Sequence, residues 1–462
     1  MQIIIVLLAL GLAVWLGNLT AGGAQNWLMM FAAALVAGTI AFFRPKLSLV
    51  LLVFSMLLSP EIGLGGVGEG RSVVVRYDDI LLLIIFLSWF ARTALFKDKP
   101  FITSTPVQTP VLLYTALCVL STAMGVISGH IDAKTSFFYV LKYVEYFLLY
   151  FMTVNIVESE EEVKKYLKYG LVVAVLVTLY AYYYYSSYSG PEVRVTAPFE
   201  VPLGGDIRES EPASLGGYYI IVFGVLMALL TESSGYILLA ALGLLIFMFP
   251  AFLLTFSRAS YIGFTAMIPA LLFLSLRRRV FLLGFLSAGL ISLALMPSIS
   301  ARVMDRISMT YQGVYATQTV ATTASGGEIK LEESAAARIR SIKRVIFERL
   351  PKRPLFGWGV TGVGLSDTQY ALVLGETGIL GAILFIWMLV RLFHTARTVF
   401  RFYSSPVTKA LGLGFMVSLV GLLFQAVGVN TFIIVRIMEP FWFVAAILSV
   451  LYLKAMTPQA KA

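Results

Sequence analysis

Residues 215–275 read LGGYYIIVFGVLMALLTESSGYILLAALGLLIFMFPAFLLTFSRASYIGFTAMIPALLFLS. Three apolar runs, 215–232, 236–256 and 260–275, are separated only by Ser-Ser-Gly and Ser-Arg-Ala. A helix needs ~20 apolar residues to cross the hydrocarbon layer of a bilayer. Connections this short allow nothing except antiparallel spans returning through the same membrane. The pattern repeats outward in both directions, giving fourteen candidate spans: 3–19, 24–43, 47–62, 78–96, 107–128, 135–156, 168–188, 215–232, 236–256, 260–275, 280–296, 366–390, 408–429 and 431–453. The third is short and the sixth carries Lys142 and Glu145, so the count is twelve to fourteen. Across all 462 residues, 59% are hydrophobic, 13% are charged and mean hydropathy is +0.87. Soluble domains carry ~25% charged residues, so a soluble class is excluded. The expected fold is an all-α polytopic integral membrane protein whose single transmembrane domain spans 1–462. Met1–Gln2 offers no basic region of the kind that opens a cleavable signal peptide.

The net charge of +10 acquires meaning once it is divided among the loops. With the N-terminus placed in the cytoplasm, seventeen lysines and arginines fall on inner segments. Only Arg71, Arg76, Lys134, Arg194, Arg208 and Arg258 fall on short outer ones. This bias predicts that both termini are cytoplasmic. It also removes nucleic acid as a partner, because the basic excess is a topogenic signal dispersed over many loops. Two histidines and one cysteine, Cys118, rule out an internal disulfide and a Cys/His zinc site. No metal and no cofactor are expected. Carboxylates, arginines, hydroxyls and tyrosines are left for chemistry.

Two outer segments are long: 189–214, and 297–365 between spans eleven and twelve. Long connections tend to be functional. Arg194 lies in the first of them, GPEVRVTAPFEVPLGGDIRESEPASLGG, and Arg258 lies in the hairpin LLTFSRASYIGF. A guanidinium is a planar fork of donors that matches phosphate oxygens, so this pair could hold a diphosphate without a metal. Two plainer roles stay open: Arg258 as an interfacial anchor, and Arg194 as a solvated loop residue. In the second long segment, 328–350 (EIKLEESAAARIRSIKRVIFERL) has the spacing of an amphipathic helix. Ile339, Ile342, Val345, Ile346 and Leu350 form its stripe, Arg338, Arg340, Lys343, Arg344 and Arg349 cover the rest, and Pro351 ends it. It lies either on the membrane surface or packed on the bundle. Glycines 357, 359, 362 and 364 then suit a turn that returns the chain to the membrane. Asp367 is placed to cap the next helix. Glu376 would be costly facing lipid and so faces protein or a cavity. Arg436 and Glu439 have the spacing to pair with each other, and pairing with Glu376 is the alternative. The tyrosines of LYAYYYYSSY (179–188) suit an aromatic belt or a sugar-stacking surface beside the Arg194 loop.

Taken together, Arg194 followed by Pro198-Phe199, the hairpin TFSRAS with Arg258, and the run ARIRSIKRVIFERLPKRPLFGWGVTGVG leading into SDTQYALVLGETGILGAILF resemble the O-antigen ligase/O-antigen polymerase superfamily of bacterial membrane glycosyltransferases. The likeness covers roughly 190–395 and extends beyond only as hydropathy. It implies inverting transfer of a glycan from a polyprenyl-diphosphate carrier to a sugar hydroxyl at the periplasmic face of the bacterial inner membrane. Arg194 and Arg258 would then bind the diphosphate and stabilise its growing charge. Ligases of the superfamily place a histidine at the end of the long loop, where this chain has Asp367 and no loop histidine. Asp-Thr-Gln-Tyr (367–370) is closer to the polymerases, as are the Arg–Gly spacings Arg194–Gly205 and Arg353–Gly364. The resemblance therefore favours a polymerase with Asp367 activating or orienting the acceptor, while His130 keeps a histidine-assisted ligase open. Arg208, Glu211, Arg340, Arg353, Gln369 and Tyr370 complete the expected substrate-binding set. The implied partners are a lipid-linked oligosaccharide donor, a glycan or lipid-linked acceptor, membrane lipids, and a chain-length regulator or other polysaccharide assembly proteins. A flippase of lipid-linked oligosaccharide is the competing class.

Overall fold

The computed structural model describes residues 25–66, 72–96, 103–188, 193–200, 212–275, 297–309, 318–322, 328–364 and 368–457. The chain runs α1 (Gln25–Phe43), α2 (Pro45–Leu58), β1 (Glu61–Gly66), β2 (Ser72–Arg76), α3 (Tyr77–Phe96), α4 (Gln108–Ile127), α5 (Ala133–Ile156) and α6 (Glu160–Ser187). It continues through α7 (Pro212–Glu232), α8 (Gly235–Leu253), α9 (Arg258–Leu274), α10 (Pro297–Ser308), β3 (Gln318–Thr322), β4 (Glu328–Leu331) and α11 (Glu333–Lys343). It closes with α12 (Gln369–Phe402), α13 (Pro406–Gln425) and α14 (Val435–Met456). Among the described residues nine helices are long and apolar enough to span a membrane, and α2, α9 and the Ala33–Phe43 part of α1 are shorter apolar helices. The protein is a polytopic α-helical membrane protein. The expected spans 3–19 and 280–296 lie outside the described residues.

Several boundaries differ from the sequence reading for local reasons. The third span stops at Leu58, because Pro60 follows and the chain turns into the antiparallel hairpin β1–β2. The seventh begins at Glu160, eight residues before 168, because Ser159 caps it by accepting from Glu162 N at 3.1 Å. Residues 328–331 of the expected amphipathic helix form strand β4 against β3. The helix proper starts at Glu333 and widens into a π turn over Arg344–Arg349. A π turn re-phases the residues that follow it. Val345 is buried as expected, but Ile346 is swung out to 38% exposure, off the predicted stripe.

The centre of the bundle is α7, whose spanning window is 94% buried. A helix apolar all round belongs in the core of such a protein, and α7 lies along α13 with α9 and α14 beside it. Small residues permit this approach. A Cβ on Gly414 would stand 2.7 Å from Val225 Cα and 2.8 Å from Gly224 O, both backbone atoms that cannot move aside. Gly414→Leu is expected to leave no monodisperse protein on size exclusion in detergent. Gly243→Ala, where a Cβ meets nothing within 4 Å, should elute like the wild type. Normal elution of the Gly414 variant would show that the helices are not packed this closely.

The two ends of the bundle differ. At one end, the connections expected inside are tied by Lys46 to Glu158 (2.6 Å) and Glu162 (2.7 Å), and by Lys409 to Glu232 (3.2 Å). The other, capped end carries α10, the β3–β4 hairpin, α11 and the glycine-rich segment 353–364. That segment sinks between α4 and α12 and docks on a break in α12 at Gly378 (φ 68°). Trp358 N and Gly359 N donate to Gly375 O and Glu376 O at 2.9 Å each, and Ile379 N donates to Pro354 O at 2.8 Å. Gly357 (φ 69°) is needed here, since a Cβ would lie 2.6 Å from the Glu376 carbonyl. The span expected over 366–390 is thus a broken helix that reaches Phe402.

Candidate functional site

The site is built around the turn between α8 and α9. Phe256 adopts φ 47° there, and Ser257 caps α9, so Arg258 is the first residue of the helix. A cation at a helix N-terminus opposes the dipole and is mildly unfavourable unless an anion sits close by. The same end of a helix attracts anions. Segment 193–200 is pinned to this turn by Val195 N donating to Leu254 O at 3.0 Å, which lays the partly buried Arg194 beside it. Arg302 of α10 lies over the Phe256 ring at 4.4 Å and donates to Tyr185 Oη (2.9 Å) and Val193 O (3.2 Å). Arg338 of α11 donates to Gly428 O at 2.9 Å, at a point where Gly428 faces Ala259. The guanidinium of Arg258 forms an ion pair with Glu332, immediately before α11.

Arg258 thus opens α9, Arg302 lies over the turn residue Phe256, Arg338 binds the Gly428 carbonyl beside Ala259, and the backbone next to Arg194 is tied to the same turn. The sequence reading singled out Arg194 and Arg258. It missed Arg302 altogether and placed Arg338 only on a general basic face. The one local signal for Arg302 is the amphipathic spacing of PSISARVMDRIS.

The remaining expected residues are placed elsewhere. Arg353 stacks on Trp358 at 4.6 Å, donates to Ser128 Oγ at 3.1 Å and lies 3.5 Å from His130 Nδ1, forming a separate group on the α4–α5 turn. Asp132 on that turn is held below the usual carboxylate range by the backbone N–H and the hydroxyl of Thr135. Arg340 is exposed and donates to Gln318 Oε1 at 3.4 Å. Gln369 is buried, with Oε1 accepting from Phe432 N at 2.9 Å, and Tyr370 donates to Leu423 O at 2.6 Å. Glu376 is 2% exposed and accepts from Thr361 N at 2.7 Å, which fixes the glycine-rich segment. Asp367, Arg208 and Glu211 lie outside the described residues.

A second polar group lies inside the bundle, where ionisable residues are costly. Arg76 pairs with Asp78 and, at 3.5 Å, with Glu439, and donates to Met56 O at 2.6 Å. Lys142 pairs with Asp79 and, at 3.3 Å, with Glu145. Arg436 donates to Leu57 O at 3.0 Å. The ion partner found for Glu439 is Arg76, which the spacing of Arg436 and Glu439 did not foretell. Carboxylate oxygens of Asp78, Asp79 and Glu439 come within 4.8 Å of one another, close enough for a metal ion. The charge chemistry argues against one: the Arg76 guanidinium already contacts two of these carboxylates and the Lys142 ammonium the third.

An apolar cleft runs along the spans between α2, α6, α7, α13 and α14, lined by residues such as Leu57, Tyr166, Tyr218, Val222, Leu411 and Phe443. It has no charged lining residue. The chain matches no protein-family model, and no curated protein matches it.

Proposed function

We propose that this protein is a glycosyltransferase that moves a polyprenyl-diphosphate-linked glycan onto a sugar hydroxyl at its capped end, acting as a polymerase of surface polysaccharide such as O-antigen or exopolysaccharide. In this reading the capped end faces the periplasm of a bacterium and the chain resides in the inner membrane. The observation that supports the reading is Arg258 at the N-terminus of α9, with Arg302 over the turn before it, Arg338 on the neighbouring Gly428 carbonyl and the Arg194 segment pinned to that turn. A dianionic diphosphate needs several donors in a place shielded from bulk water, and guanidinium forks provide them without a metal. The acceptor hydroxyl attacks the anomeric carbon, the bond from that carbon to the diphosphate oxygen breaks, and configuration inverts. Arginines already in position stabilise the charge as it collects on the leaving diphosphate.

Ligation to a lipid A core is the second reading, favoured by His130 standing beside Arg353 on the same end. A flippase would carry a polar glycan past the middle of the membrane, where transporters place their substrate sites. The apolar lining of the mid-span cleft speaks against that route. Purified protein mixed with undecaprenyl-diphosphate-linked repeat units in detergent is expected to lengthen them with no membrane gradient present. Recovery of chemically unchanged repeats would favour the transporter.

A further inference from the structure

We infer that Glu332 is the general base that activates the acceptor hydroxyl, and that the donor diphosphate displaces it from Arg258 when the donor binds. The inference rests on the glycosyltransferase reading above and adds a residue to it. Glu332 pairs with Arg258, and the two side chains keep 20% and 22% of their surface accessible, so both can meet an entering ligand. Three other carboxylates described at the capped end have structural work, and Asp367 lies outside the described residues. Glu200 accepts from Ala197 N (3.3 Å) and Ser214 Oγ (3.4 Å), Glu376 from Thr361 N, and Asp132 from Thr135 N. Asp305 and Glu348 are exposed on the outside of their helices. Glu332 precedes the first turn of α11 but its side chain makes no capping bond. Among the described residues it forms an ion pair with an arginine of the proposed diphosphate site.

The geometry explains why this position suits a base. In the free protein the carboxylate stands where a phosphate oxygen would meet Arg258. A diphosphate there takes over the guanidinium and leaves the carboxylate next to the sugar that the diphosphate carries. In the step itself, Glu332 accepts the acceptor's hydroxyl proton as the new C–O bond forms. The electron pair of the broken bond leaves with the diphosphate, and the proton passes from Glu332 to water.

Purified protein, undecaprenyl-diphosphate-linked repeats and undecaprenyl diphosphate alone provide the test. Glu332→Gln keeps the shape and removes the base; it is expected to lower kcat by at least about 100-fold. Binding of undecaprenyl diphosphate should be unchanged or tighter, since Arg258 has lost its competitor. Glu332→Gly should regain part of its turnover on addition of formate, a small carboxylate, which a purely structural role would not allow. Turnover of Glu332→Gln within twofold of wild type, or no formate rescue of a folded Glu332→Gly, overturns the base and leaves the glycosyltransferase reading intact. Wild-type protein that binds the donor yet transfers nothing overturns the reading itself, and the base with it.

Discussion

Replacing Arg258 by alanine is expected to lower glycan transfer by about 100- to 1,000-fold, the effect of removing one preorganised donor from a developing anion, while the protein still inserts and elutes as the wild type. The side chain is a fifth exposed and pairs with Glu332 at the surface of the bundle, so its loss leaves the core untouched. Arg194→Ala should behave alike, because Val195 holds that segment by a backbone bond to Leu254 that the substitution does not remove. Arg258→Lys is expected to recover little, since an ammonium does not reproduce the planar fork. Polymer of wild-type length and amount from both alanine variants would show that the diphosphate is held elsewhere. Arg302→Ala separates two functions, because Arg302 also ties α10 to Tyr185 and Val193. Its defect should appear in thermal stability as well as in transfer.

The second large effect concerns the buried ionic network. Arg76→Met leaves Asp78 and Glu439 without their guanidinium in a position where Asp78 is 1% exposed. Removing one partner of a buried pair costs about 3–5 kcal/mol. A fall in the unfolding temperature on the order of 5 °C in detergent follows from that figure, with much lower yield from membranes. Removing the opposed charges together, as in Arg76→Met with Asp78→Leu and Glu439→Gln, should restore much of the loss, because the desolvation cost then disappears with the charges. An Arg76→Met protein as stable as wild type would mean that water or lipid headgroups reach these carboxylates. The network joins β2, α3, α5 and the start of α14, so it serves to fix the hairpin and the first spans against the last.

Hydropathy made the spans legible, because a run such as 215–232 has one physical destination whatever its neighbours do. It also failed where a single residue changes the backbone. Gly378 within an apolar run reads as tolerated, yet it breaks α12 because segment 353–364 arrives to take up the freed carbonyls and N–H groups. The π turn at 344–349 is equally silent in sequence, and it removes Ile346 from a stripe that strict periodicity includes. The candidate site was half legible. Arg194 and Arg258 were conspicuous as cations running against the charge bias of the loops. Arg302 and Arg338 were not, because the long segment carrying them is rich in cations and nothing local says which ones turn inward. Arg76 and Glu439 show the same limit more sharply, since their contact joins residues 363 apart. Spacing along one helix pointed Glu439 to Arg436, and tertiary packing supplied Arg76.

The most direct measurement is a structure of the protein in lipid nanodiscs with a non-transferable analogue of an undecaprenyl-diphosphate-linked sugar. The account predicts that diphosphate oxygens lie about 3 Å from the Arg258 guanidinium, with Arg194 turned toward them and Glu332 released and facing the sugar. Diphosphate seated instead between Arg353 and His130, or a carrier held in the cleft with Arg258 still paired to Glu332, would contradict it.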